Sequence, residues 1–133
     1  MKANQFMVGD WVLTDEGTPA RIAQVNDCYY DGYSSDLMLE NGDNYRNVQP
    51  IPLSKEIFEK NGFNINHYDN GELLTAILEK SGEYSVVYHF DCQYFHIDGY
   101  EGVYGNFGKL YFRYVHELQH ALRLCGIDKE ITL

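Results

Sequence analysis

A chain of 133 residues with 44% hydrophobic and 23% charged side chains is long enough for one compact core and too short for two ordinary domains. Twenty Asp and Glu against ten Lys and Arg give a formal charge of −10, a field that repels phosphate backbones, and no basic patch interrupts it, so direct nucleic-acid binding is not expected. No apolar run approaches the length of a membrane span. With no apolar segment at the start, the three widely spaced cysteines, Cys28, Cys92 and Cys125, are expected as reduced thiols of a cytoplasmic protein.

The first third carries short strand signals separated by turn chemistry. Residues 6–13 are strand-like, Asp15-Glu16-Gly17 is a turn, and Arg21 to Val25 alternates polar with apolar. Leu37 to Glu40 then meets Asn41-Gly42, the dipeptide most suited to a type I′ hairpin, and Tyr45 to Val48 returns. Four or five short antiparallel strands predict a small SH3-like barrel over residues 1–53, with Trp11 as a large apolar payload. The prolines at 50 and 52 stop the last of these strands. Ser54 is then an N-cap, Glu56 lies in the first turn, and Gly62 supplies the left-handed position that ends a short helix whose Ile57 and Phe58 face the core.

Strands resume from Glu72, with Leu73 to Glu79, a Ser81-Gly82 turn, and Tyr84 to Phe90. His67, Tyr68 and Asp69 read as a plain polar connection. In Cys92 to Ile97, Phe95 and Ile97 share one face while Cys92, Tyr94 and His96 share the other. A glycine-rich stretch leads to a strand at Lys109 to Arg113, and a terminal helix covers Tyr114 to Cys125 before Gly126. The expected class is α+β, with residues 54–133 packed on the barrel as one compact unit.

That terminal helix spells His116-Glu117-Leu118-Gln119-His120, the HExxH pattern that sets two imidazoles one turn apart on a zinc ion with the glutamate as general base. On a helical wheel Tyr111, Val115, Leu118, Leu122 and Cys125 form the apolar stripe, and His116 and His120 fall on the opposite, solvated side beside Arg113 and Arg123. A catalytic zinc needs a third protein ligand. The metzincin positions for it hold Arg123 and Gly126. Of the upstream candidates His89, Cys92 and His96, the last two lie about 13 Å apart along a strand. The expectation is therefore no cofactor and no catalytic residue, with zinc on His116 and His120 and Glu117 as base kept as the alternative.

The segments "VGDWV", "VQPIPLSKEIFEKNGF" and "YVHELQHALRLCGIDKEI" together resemble a family of small uncharacterised proteins of Bacteroides-type gut bacteria, often encoded near phage or other mobile-element genes. The resemblance spans nearly the whole chain. It implies a structural role for "YVHELQHAL", since related segments read "YVHQLQN" or "YVHELQN" as often as the version here, so that the positions of Glu117 and His120 can hold Gln and Asn. It carries no activity with it.

Twelve tyrosines gather partly in two loops, and Tyr mixed with Gly, Ser, Asn and Asp is the composition of recognition surfaces. Tyr29, Tyr30 and Tyr33 in the first loop, and Tyr100, Tyr104 and Phe107 in the second, are the candidate binding residues; tyrosines covering half-exposed sheet faces is the plainer alternative. The expected function is a non-catalytic interaction or accessory module, its partner an unknown protein or a second copy of itself. Scattered carboxylates such as Asp10, Asp15, Glu16, Glu40 and Asp43 read as a solvated surface, with an acidic mimic of nucleic acid as a third function hypothesis.

Overall fold

The computed structural model describes residues 6–26, 36–42, 44–45, 48–81, 83–99 and 110–133, and shows an α+β fold with two antiparallel sheets and two helices among them. The chain divides into two compact units, the first made of Met1–Pro52 with Tyr114–Ala121, the second of Leu53–Arg113 with Leu122–Leu133.

In the first unit, β1 (Trp11–Leu13), β2 (Pro19–Asn26), β3 (Asp36–Leu39), β4 (Asn44–Tyr45) and β5 (Gln49–Pro50) form a sheet in the order β4-β3-β2-β1-β5. Gly42, at φ 90°, lies in the β3–β4 turn, a backbone conformation that a Cβ would strain. The sheet is open: β4 and β5 are its edges, where the strand count had suggested a closed barrel. With β4 and β5 only two residues each, the described ladders are too short to pair with one another around a barrel. Pro50 does not end the pairing; it sits in edge strand β5 opposite Val12, and an edge strand tolerates a missing N–H. Alternation buries Val12, Ile22, Leu37, Leu39 and Val48, which cluster with Phe6.

The second unit opens with α1 (Lys55–Lys60), whose N-cap Ser54 accepts from the Ile57 amide at 3.3 Å. Beyond it the chain takes φ 85° at Gly62 and enters β6 (Asn64–His67), the first strand of a sheet completed by β7 (Leu73–Lys80), β8 (Tyr84–His89), β9 (Tyr94–Gly99) and β10 (Leu110–Tyr111), in the order β10-β9-β8-β7-β6. Fully buried Phe58 meets Phe63, Tyr88 and Phe90 with ring centroids 5.0 to 5.5 Å apart, and Phe112 stacks on Tyr88. Helix α2 (Val115–Leu124) begins in the first unit and ends in the second. Tyr111 does not belong to its apolar stripe, because that residue lies in β10 and is 65% exposed. Among the described residues no helix is long and apolar enough to cross a membrane.

Candidate functional site

Helix α2 buries more than an apolar stripe. His116 is 2% exposed and Gln119 6%, alongside Val115, Leu118 and Ala121, so the polar residues of the HExxH spelling do not form the solvated face that the wheel suggested. Their surroundings lie about 110 positions away, in Phe6 to Trp11, which no helical wheel contains. Gln119 Oε1 accepts the Trp11 amide at 3.0 Å and its Nε2 donates to the Gly9 carbonyl at 2.9 Å, the pair of bonds a neighbouring strand would make. His120 Nε2 lies 2.6 Å from Oδ2 of fully buried Asp10, which also accepts the Met7 amide at 2.8 Å. Asp10 in turn leads the ladder into β2, its carbonyl accepting the Ile22 amide while the Gly9 amide donates to Ile22.

His116 packs its ring 4.8 Å from Phe6 and 6.0 Å from Tyr114, and stands edge-on to His120 at 5.6 Å. Its Nδ1 is buried with no hydrogen-bond partner among the described residues. Burial holds its pKa below the usual 6.5; Asp10 and Glu117 oppose that shift and His120 adds to it. The arrangement is a clasp. Glu117, the would-be base, is half-buried on the same helix.

As a zinc centre the cluster fits poorly. Two ligand atoms each about 2.0 to 2.1 Å from a tetrahedral zinc stand roughly 3.3 Å apart, whereas Asp10 Oδ2 and His120 Nε2 meet at 2.6 Å, in direct hydrogen-bond contact. Among the described residues no group of three His, Cys, Asp or Glu side chains could hold a metal ion. His89 and His96 instead stack with Tyr94 on one face of β8 and β9, ring centroids 4.2 to 5.7 Å apart, and burial with help from His96 lowers the pKa of His89. Cys92 is exposed in the β8–β9 turn and donates to Asp91, and Cys125 is buried.

A second feature was read as a plain connection. His67 ends edge strand β6, and Tyr68, Asp69, Asn70 and Glu72, with Asp91, line an open hollow of about 540 Å³. The Tyr68 hydroxyl donates to Asp91 Oδ2 at 3.1 Å, which raises the phenol's pKa, while hydrogen bonds from Cys92 and Tyr68 lower that of Asp91. Tyr29, Tyr30, Tyr33, Tyr100, Tyr104 and Phe107 all lie outside the described residues, as does Cys28.

Asp10 and Gln119 are the residues that sequence reasoning missed. A signal was present in each segment, a polar residue embedded among apolar ones in "VGDWV" and again in "YVHELQHAL", but only the fold pairs them. No known protein family, curated protein or solved structure matches the chain.

Proposed function

We propose that this chain is a non-catalytic, cytoplasmic interaction or accessory module of phage or mobile-element origin, with an SH3-like first unit and with a protein or a second copy of itself as partner. The observation that carries the non-catalytic reading is the clasp. A hydrolase would aim the imidazoles of HExxH at a metal and an open coordination position. Here His120 is spent on Asp10, Gln119 on Gly9 and Trp11, and His116 on ring packing. Those contacts explain why "VGDWV" and "YVHELQ" belong together without invoking chemistry.

The SH3-like reading draws support from the strand order, a β1-β2-β3-β4 meander whose fifth strand returns to pair with β1. The working surface remains the tyrosine-rich stretches around Tyr30 and Tyr104, by their composition.

Metal analysis of the purified protein, together with size measurement of a Tyr30→Ser, Tyr104→Ser double variant, tests the proposal. Substoichiometric zinc is expected, with weakened self-association or partner capture at an unchanged melting temperature. One zinc per chain that His116→Ala removes would replace this reading with a hydrolase using Glu117 as base. Unfolding of the double variant would assign the tyrosines to the core.

A further inference from the structure

We propose that the end of helix α1 is a docking site for an extended peptide, filled within one chain by its own Ile131–Leu133 and, in a dimer formed by exchange, by the same residues of a second copy. The exchange does not depend on the tyrosine-rich surface. Its central group is Asn61, the C-cap residue of α1, which is polar yet only 3% exposed. Asn61 Nδ2 donates to the Ile57 carbonyl at 2.7 Å and to the Thr132 carbonyl at 2.8 Å. Its Oδ1 accepts the Thr132 amide at 2.8 Å and the Thr132 hydroxyl at 3.3 Å. Both donors and both lone pairs of the carboxamide are thus in use, and all but the bond to Ile57 go to Thr132. The N–H and C=O that it reads are main-chain groups, which any extended peptide without proline at that place offers.

The chain seated there has the form of a bound peptide. Residues 127–133 form neither helix nor strand. Ile131 is 2% exposed while Glu130 and Thr132 on either side are exposed, the alternation of an extended chain with one aliphatic anchor. Lys60 Nζ donates to the Leu133 carbonyl, and Glu130 and Ile131 make further interactions. Ile127 belongs instead to the end of α2, its amide donating to the Leu122 carbonyl at 2.9 Å and its side chain buried. Between these two anchors Asp128 and Glu130 are exposed and Lys129 half-buried, so Asp128–Glu130 is the hinge. If Ile131–Leu133 withdraws, the three bonds from Asn61 fall to water, and another extended chain restores them together. The peptide that fits is this chain's own, which makes a second copy the occupant: exchange about the hinge recreates each contact between Asn61 and Thr132 in the other copy. A segment on a short linker competes at an effective concentration of about millimolar, so a dilute chain fills its own site and exchange grows as the protein approaches that concentration.

Amide-shift titration of the intact chain with a synthetic peptide of residues 127–133, IDKEITL, and size measurement across protein concentration test this. The chain is taken as wild type and as Thr132→Pro, which removes the N–H that Asn61 Oδ1 accepts and leaves the site in place. The expected result is saturable binding with shifts centred on Lys60 to Gly62, tighter by about tenfold or more in Thr132→Pro, because a free peptide sees only the molecules whose site is open. The peptide carrying the same proline should not bind, and a dimer should grow with wild-type concentration and be missing in Thr132→Pro. No saturable binding to the variant chain, equal binding of the proline peptide, or a wild type still monomeric at about millimolar concentration overturns the exchange. So does a dimer that survives Thr132→Pro. Should that variant not fold, the wild type decides: proline-sensitive peptide binding together with a growing dimer supports the exchange, and lack of either refutes it.

Discussion

Gln119 makes two hydrogen bonds with one side chain, donating to the Gly9 carbonyl and accepting the Trp11 amide; the Gly9 carbonyl also accepts Arg21 Nε at 3.4 Å. Replacing it with Leu keeps the volume and removes both hydrogen bonds. A hydrogen bond contributes about 0.5 to 1.5 kcal/mol net, so Gln119→Leu is expected to lower stability by about 2 kcal/mol in urea unfolding. Gln119→Glu should be worse than Gln119→Leu, since it keeps the acceptor for Trp11 and turns a carboxylate oxygen on the Gly9 carbonyl. Glu117→Gln, by contrast, removes only the charge of a first-turn acid, worth about 0.3 to 1 kcal/mol at a helix N-terminus, and should cost about 1 kcal/mol at most. The opposite ranking, with Glu117 critical and Gln119 tolerant, would point back to a catalytic helix. The HExxH letters are all legible in the sequence, but their role is not. The decisive partner of His120 lies 110 positions upstream, and local periodicity carries no information on a contact of that range.

At the level of elements, legibility follows how local the forces are. Helix α1 was readable because its determinants sit within its own span: Ser54 caps it and Gly62 takes the positive φ just past its end. The β7 to β9 meander was readable because one face must bury Val86, Tyr88, Phe95 and Ile97. Edge strands β5 and β6 escaped. Gln49–Pro50 and Asn64–His67 pair on one side only, so neither must alternate or exclude proline, and their strand state comes from the partner strand. If α1 depends on its cap as this implies, Ser54→Ala should cost about 1 kcal/mol, measurable as a lower melting temperature, while Ser54→Asp should be close to neutral. A loss of several kcal/mol in the Asp variant would mean that Ser54 acts through packing instead.

For the molecule as a whole, the charge of −10 weighs differently on the two remaining readings of its surface. A mimic of nucleic acid needs carboxylates in a single-sign row at phosphate-like spacing. Among the described residues the exposed acids instead fall in turns, at strand ends and on helix α1, with Asp69, Glu72 and Asp91 together at one hollow, and Arg21–Glu40, Lys55–Glu59 and Lys80–Glu83 set a cation beside one of them at 3.0 to 3.9 Å. Exposed pairs of this kind add little stability, but they break up the field that a basic partner would read. Two binding outcomes follow. Duplex DNA should not be retained at about 0.15 M salt, where the Debye length is about 8 Å and the net charge opposes the counterion release that drives such binding. A generic basic DNA-binding protein should be retained only weakly, and released by modest salt, because scattered carboxylates attract without fixing register. Tight capture of that basic protein, weakening steeply as salt is raised, would favour the mimic. Retention of duplex DNA itself would require a basic surface among residues outside the described ones, and would overturn the reading of charge with which the sequence began.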